Sequence, residues 1–536
     1  MSSAAILSFI LFTFAFTYLL FKLFFHPKQK HKKPPGPPTL PIIGNLHMLG
    51  KLPHRTLQSL SKKYGPIMSF KLGQVPAVVI SSSKAAELFL KTHDLVFANR
   101  PKTQASEIFS YGSKGLAFSE HGPYWRSVKK LCTLKLLSAS KVEMFAPIRK
   151  QELGVSVKSL EKAALVGEIV NVSDAVVNLV ESIMYKMLFG RSKDEQFDLK
   201  KLVQQTLTLS GAFNLADYIP WLGPFDLQGL THACKKTSKA LDEVLEMIIK
   251  EHEQITNANK TRNEDFIDTL LSIMHQTIDL ENEQNPVIVI DRSTMKAILL
   301  DMIAAGTDTS ASVIEWALSE LLRNPRIMKK LQDEIQNEIG HMRMVEEILN
   351  PRIMKKLQDE IQNEIGHMRM VEEKDLKNLN YLDMVVDEIL RLYPVGPLLV
   401  PRECRENIII DGYFIKEKTR VIVNAWAIGR SHYVWSQNAE EFYPERFMDK
   451  KMNFHGQEFE CIPFGSGRRR CPGIHLGLIN VKLILAQLVH CFDWQLPPNI
   501  TPSNLNMEEK FGLTIPRAQH LHAIPSYRLA CDDKFE

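Results

Sequence analysis

Apolar residues fall into three kinds of run along the 536-residue chain. The first is unbroken: Ser2 to Phe21 carries no charge and continues through Lys22 to Phe25, about the twenty residues that a bilayer core requires. The second has helical spacing. Tyr124–Leu137 reads as a helix, helical segments broken by loops follow to about Gln276, and a long periodic stretch runs from a capping Asp291 to about Arg323. At 1.5 Å per residue that stretch is roughly 50 Å long, enough to cross a whole domain. A further apolar helical pattern starts at Ile474. The third kind is short: Val78-Val79-Ile80 reads as a strand leading into a helix over Ser83–Leu90, and Asn407–Ile415 turns on Asp411-Gly412, a hairpin signal. The pattern predicts a mainly α chain with minor β-sheets, one large domain behind an N-terminal membrane helix.

Boundaries follow from the punctuation. Lys28, Lys30, Lys32 and Lys33 follow the first run, so the positive-inside rule leaves the C-terminal side in the cytosol. A cleaved signal peptide is disfavoured by the missing basic start and the bulky residues at the end of the run. Pro34-Pro35-Gly36-Pro37-Pro38 predicts a stiff, extended spacer. The resulting division is an anchor with basic flank over 1–33, a proline-rich hinge over 34–46 and a catalytic domain over 47–536. In this topology the sequons at Asn171, Asn259 and Asn499 stay unglycosylated. The apolar loop Ile219–Phe225 fits either a membrane-facing entrance or a plain buried turn. One irregularity stands out: Asn324–Glu347 is repeated without change as Asn350–Glu373. Two copies do not make a solenoid. A recent duplication or an assembly error accounts for them, and the second amphipathic helix is expected at the surface.

Composition is that of an ordinary globular enzyme, 45% hydrophobic and 24% charged. Seven scattered cysteines, an odd number, argue against a secreted disulfide framework. The net charge of +5 is an N-terminal property: eleven Lys and Arg precede the first acid, Glu87, leaving −6 for the remainder. That suits an anionic lipid surface and gives no support to nucleic-acid binding.

The chemistry gathers at Pro463-Phe464-Gly465-Ser466-Gly467-Arg468-Arg469-Arg470-Cys471-Pro472-Gly473. Gly465 and Gly467 permit a sharp turn and close approach to a flat ligand. Cys471, just ahead of a helix, faces backbone N–H groups that favour a thiolate. Arg469 is able to neutralise an anionic cofactor edge. The order Phe464-x-x-Gly467-x-Arg469-x-Cys471-x-Gly473 resembles the haem-binding loop of the cytochrome P-450 superfamily, and the proline hinge resembles that of its microsomal plant members.

The resemblance implies a haem-thiolate monooxygenase with haem b (iron protoporphyrin IX) ligated by Cys471. It implies that Phe464, Gly467, Arg469 and Gly473 shape the cofactor loop. Ala305-Gly306-Thr307-Asp308-Thr309-Ser310 resembles the oxygen-activation helix, with Gly306 where the helix opens, Thr309 donating a hydrogen bond toward bound dioxygen and Asp308 relaying protons. Trp125 and Lys129 match a propionate-contacting helix position, with Lys where the family usually has Arg; Arg126 is a possible substitute. Arg402 resembles a further propionate contact, or is a plain surface arginine. Glu388, Arg391 and Arg446 resemble the buried structural triad. Pocket walls are implied near Ala98–Leu116, Leu299–Thr309, Val395–Val400 and Phe511–Thr514, rich in Phe, Leu, Ile and Val, which points to an apolar substrate of terpenoid or phenolic class together with O2. Since the dinucleotide fingerprint is incomplete, electrons are expected from an NADPH-dependent flavoprotein reductase at the endoplasmic reticulum membrane, with Arg468–Arg470 as docking patch. Two alternatives stay open: a reductase-independent haem-thiolate isomerase or dehydratase, and a catalytically dead haem-binding protein damaged by the repeat.

Overall fold

The computed structural model describes Thr13, Thr17 and residues 32–190, 199–257, 265–274, 290–348, 369–449, 452–454 and 458–529. The expected membrane helix and most of the second repeat copy lie outside the described residues.

Helices dominate. The principal ones are α1 (Pro53–Tyr64), α2 (Pro123–Leu131), α3 (Ala146–Leu165), α4 (Val172–Phe189), α5 (Leu199–Gly211), α6 (Leu230–Asn257), α7 (Arg292–Arg323), α8 (Pro325–Ile348), α9 (Asn380–Leu392) and α10 (Ile474–Cys491). Nine short strands accompany them among the described residues: β1 (Ile67–Leu72), β2 (Val75–Ile80), β3 (Val170–Asn171), β4 (Arg402–Glu403), β5 (Ile408–Ile410), β6 (Tyr413–Ile415), β7 (Arg420–Val423), β8 (Phe492–Gln495) and β9 (His522–Tyr527). They form sheets of order β1-β2-β7-β4 and β3-β9-β8, plus the hairpin β5-β6. Both central residues of that hairpin turn have positive φ, 50° at Asp411 and 77° at Gly412, the geometry that a two-residue turn between twisted strands requires.

α7 is the axis of the molecule, packing against α4, α9 and α10. Asp291 caps it by accepting the Thr294 N–H at 2.7 Å. At the far end Asn324 turns its side-chain amide back to Glu320 O at 2.8 Å, and Pro325 starts α8. Ile298, Ile314, Trp316 and Leu318 are fully buried along α7; each apolar side chain so buried contributes about 1.5–3 kcal/mol. α7 and α10 are long and apolar enough to cross a bilayer, but 67% of each apolar window is buried inside the protein. The expected opening at Gly306 is not there, because α7 is continuous. Gly306 faces α4, where a Cβ would require the flexible end of the Met184 side chain to move.

Four segments refine or depart from their sequence patterns. The helices expected over Ser83–Leu90 and Tyr124–Leu137 end in wider π turns, Leu88–Thr92 and Cys132–Leu136. The proline-rich segment, expected as a stiff extended spacer, is tied to the domain at Pro35, whose carbonyl accepts the Ser69 N–H of β1 at 2.8 Å. The Ile219–Phe225 loop is no buried turn: it forms a 3-10 helix, Pro220–Phe225, with Trp221 and Phe225 exposed.

The repeat is used in a divided way. First-copy residues Ile327, Leu331, Ile335 and Ile339 bury one face of α8, while Gln332 bonds Asp493 and Glu334 accepts the N–H of Tyr381 and Leu382. Second-copy residues then close the unit. Val371 N–H donates to Gln487 at 3.0 Å, and Glu373 binds the buried Arg149 at 2.6 Å. The surface position expected for the second helix lies outside the described residues.

Candidate active site

The Cys471 loop is a chain of tight turns. Gly465 and Gly467 take φ of 66° and 69°, and Gly467–Arg469 forms one 3-10 turn. Cys471 N–H closes the loop on Phe464 O at 3.0 Å, and the Phe464 ring stands edge-on to Phe454. Gly467 is required by proximity, since a Cβ there would run into Leu90 O and the Asp94 carboxylate. Gly473 is the N-cap of α10 in an ordinary conformation, and a Cβ built on it meets nothing within 4 Å.

Of the six described cysteines only Cys471 is exposed. Although its surface is accessible, the surrounding protein desolvates the sulfur enough to push the thiol up; the Gly473 N–H and Arg470 pull the other way without winning. The helix-start environment alone thus does not make the thiolate. A coordinating metal does, since it deprotonates a bound thiol outright. Cys461 is buried and its thiol is pushed far up by burial, so it is no rival.

Around the loop lies a surplus of positive charge. Arg100, Arg402 and Arg469 are all buried. Arg402 is therefore no surface arginine: it binds Asp94 at 2.8 Å and Ser466 O at 2.5 Å. Arg469 donates to Ala98 O at 2.7 Å and to Ser119 O, with its guanidinium 4.1 Å from the Trp125 ring centre, yet its Nη1 has no partner. Burial first, then Arg402, lowers Arg469 to about 9. Arg100, bonded to Ala117 O and Pro401 O, is lowered by burial and then by the other two. Lys129 donates to Arg468 O and is lowered by burial, then by Arg470 and Arg469. His121 is held down at about 4 by burial and then by surrounding arginines. Among the described residues Asp94 is the acid that answers these cations within hydrogen-bond reach, taking Arg402 on one oxygen and the Arg468 N–H and side chain on the other. Such a site calls for an anion.

The opposite side is α7. Thr309 donates its hydroxyl to Ala305 O at 2.6 Å, the back-bond to the preceding turn, so in this rotamer its proton is committed. Asp308 accepts from the Thr514 hydroxyl; burial raises its carboxyl and Thr514 draws it down. No hydrogen bond joins Asp308 to Thr309 among the described residues. Two turns earlier Asp301 accepts the N–H of Leu116 at 2.6 Å and of Ala117 at 3.1 Å with one oxygen, and burial pushes it up to about 6. Trp125 donates its indole N–H to Leu116 O at 3.0 Å, pinning the same loop. The four expected wall stretches are thus bonded together: Leu116–Ala117 to Asp301, Arg100 to Val400 and Pro401, Thr514 to Asp308, and Ile515 N–H to Val395 O at 3.0 Å. A groove of about 600 Å³ shares Ile108 and Tyr111 with the first wall stretch, but its other lining residues, among them Lys235, Lys239, Asp242, Arg292 and Lys296, are polar or charged.

Glu388, Arg391 and Arg446 meet on the other side of α9. Glu388 and Arg391 are fully buried and bidentate at 2.7 and 2.8 Å, Arg446 reaches the same carboxylate at 2.9 Å, and Tyr443 N–H adds a bond at 2.8 Å. Arg391 also caps the carbonyls of Gly429 and Ala439, both at 2.6 Å.

Asp94, Arg100, Asp301 and Thr514 were not singled out by sequence. Only their distant partners give them meaning.

An accessible thiol ahead of a helix, an open face at Gly473 and buried cations with an unpartnered guanidinium nitrogen fit one kind of group: a flat iron porphyrin bearing carboxylates. The comparisons agree. The sequence pattern of the family described as Cytochrome P450 matches residues 34–348 and 344–522, so the chain belongs to the cytochrome P450 family, haem-b-binding oxidoreductases. The two matched pieces meet at the repeat, each containing one copy. Cytochrome P450 CYP736A12 of Panax ginseng is 52% identical over 94% of this chain and 95% of its own length. A costunolide synthase of Cichorium intybus is 40% identical over 96% of both, and a desmethyl-deoxy-podophyllotoxin synthase of Sinopodophyllum hexandrum 37% identical over 93% and 92%.

Proposed function

We propose that this enzyme is a membrane-anchored monooxygenase that inserts one oxygen atom of O2 into a small apolar organic molecule of terpenoid or phenolic class. The observation that carries this reading is the convergence of four wall stretches with the Cys471 loop and the Asp308-Thr309 pair. Relatives named for costunolide and for desmethyl-deoxy-podophyllotoxin support the substrate class.

Haem b, when bound, supplies the iron chemistry that activates dioxygen. The residues of this chain do the rest. Cys471 ligates the iron. Arg469 Nη1, with Arg100, Arg402 and Lys129 behind it, neutralises the carboxylate edge in a place where charge is costly to leave unpaired. Asp308 takes protons from solvent and passes them toward Thr309, whose hydroxyl must release Ala305 O to donate onward. The walls hold the substrate and keep bulk water out. Glu388, Arg391 and Arg446 keep the segment before the cysteine loop in place.

Electrons come from an NADPH-dependent flavoprotein reductase. Of the expected docking run Arg468–Arg470 only Arg468 is exposed, since Arg469 is buried and faces inward; Arg468 with the exposed Arg126 and Lys130 of α2 supplies the basic face for an acidic partner. The body lies against the endoplasmic reticulum membrane on its cytosolic side. Exposed Leu40, Ile42 and Ile43 and exposed Trp221, Phe225 and Leu227 flank the β1–β2 hairpin, to which Gly44 and Tyr218 both bond. They form an apolar surface next to the anchor, suited to the headgroup boundary.

The test is a reduced carbon monoxide difference spectrum of the full chain, followed by turnover of a terpenoid and phenolic panel with reductase and NADPH. The thiolate-type Soret shift, its loss in Cys471→Ser, and strictly NADPH-dependent product are expected. Turnover without NADPH would replace this reading by the isomerase. Thr309→Ala is expected to release excess peroxide; full product without it would remove Thr309 from the proton path.

A further inference from the structure

The acid of the Asp308-Thr309 pair has one hydrogen-bond partner among the described residues, the Thr514 hydroxyl. Thr514 does not belong to α7. It sits 206 residues further on, in a loop that is stapled at several points. Lys510 N–H donates to Pro516 O at 3.0 Å, and Glu509 bridges Arg517. The next residue, Ile515, is fully buried and gripped from both sides, its N–H on Val395 O and its carbonyl on the Trp316 indole at 2.9 Å. Trp316 lies two turns beyond Asp308 on α7, so helix and loop are locked in register next to the contact. At the loop tip, Gly211 of α5 lies against the Leu513 backbone so closely that a Cβ there would overlap its nitrogen. A hydroxyl presented from such a frame has little freedom to follow the carboxyl if it turns.

We propose that Thr514 is a positioning residue for the proton-relaying acid: it holds the Asp308 carboxyl in one orientation and so sets when that group can turn between solvent and Thr309. The proposal rests on the monooxygenase reading above. With a single partner, release of the carboxyl breaks one hydrogen bond, about half as strong while Asp308 is protonated as when it is ionised. The proton that Asp308 gives to the Thr309 oxygen is replaced from solvent after the carboxyl swings out, and Thr514 ends the excursion by taking the carboxyl back.

Thr514→Val keeps the shape and removes the hydroxyl; Thr514→Ser keeps the hydroxyl and removes the methyl. Crystal structures of the holoenzyme and both variants read the Asp308 orientation directly, with or without turnover. A single orientation is expected in wild type and Thr514→Ser, and a turned or divided one in Thr514→Val. With reductase present, product per NADPH should fall roughly three- to tenfold in Thr514→Val, the deficit appearing as peroxide, and return with Ser. An unchanged Asp308 orientation in Thr514→Val, wild-type coupling in that variant, or a Ser variant that behaves like Val would each overturn the assignment. Failure of the monooxygenase reading shows itself separately, as a wild-type enzyme that makes no NADPH-dependent product, and leaves the orientation result to decide the role of Thr514.

Discussion

Two clusters of buried arginines lie in this protein, and they differ in completeness. Around Glu388, each nitrogen of Arg391 and Arg446 finds the shared carboxylate, a backbone carbonyl or Asn438. Around Cys471, Arg100, Arg402 and Arg469 share a single acid, Asp94, and Arg469 Nη1 finds nothing. Burial costs both clusters the same hydration, so the difference is in who repays it. The first is closed by the chain itself and is architecture. The second is left open by the chain, and the missing negative charge describes its ligand.

The largest expected effect tests the closed cluster. Glu388→Ala strands two guanidiniums and should cost about 3–5 kcal/mol, seen as an earlier denaturant midpoint with or without haem and as little haem per polypeptide. Asp301→Asn comes next, asking whether backbone dipoles alone satisfy a buried acid. Because burial raises Asp301 from 3.8 to about 6, its protonated form is favoured in the fold. That stability is whole below about pH 4 and is lost as pH rises through about 6, a difference of about 3 kcal/mol. The Asn variant keeps an acceptor oxygen for Leu116 and Ala117 but has no proton to lose. Relative to wild type it should gain stability between pH 4 and 7, measured by denaturant titration at each pH; parallel curves would refute the cause given. Arg469→Leu probes the open cluster and should invert the Glu388 result. The haem-free protein should be no less stable, while haem binding weakens about ten- to a hundredfold, the value of a charge-assisted hydrogen bond of about 1.5–3 kcal/mol. Equal destabilisation of both forms would show that Arg469 is structural after all.

The smallest effect belongs to a control outside both clusters. Deleting residues 348–373 removes one 26-residue period and leaves one complete unit. Glu338 near the end of the α8 contact face accepts from Asn378 at 2.5 Å, and the turn around Asn378 starts at Asp375, which is paired with Arg369 at 2.6 Å. Stability should change by less than about 1 kcal/mol, the scale of a loop-length change. A large loss would mean that the second copy supports the fold.

What could be read from sequence divides along the same line. The Cys471 loop was legible because its chemistry is local: glycines, arginine and cysteine act within ten residues. The Asp291 cap, the α7 span and the Asp411-Gly412 turn are local too. Asp94, Arg100, Asp301 and Thr514 were not legible, because an isolated Asp or Thr carries no sign of a partner 185 or 206 residues away. The contact between Gly306 and Met184 was not legible for the same reason, because Met184 belongs to another helix. The exposed face of Trp221 and Phe225 needed the hairpin on which their loop rests.

The divided use of the repeat has a consequence for heredity. The fold takes α8 from one copy and Arg369–Glu373 from the other, and any 26-residue excision between the identical tracts yields the same shorter polypeptide. Unequal pairing of the two tracts removes whole codons and keeps the reading frame. Selection on the shorter chain would meet the same cysteine loop and the same arginines.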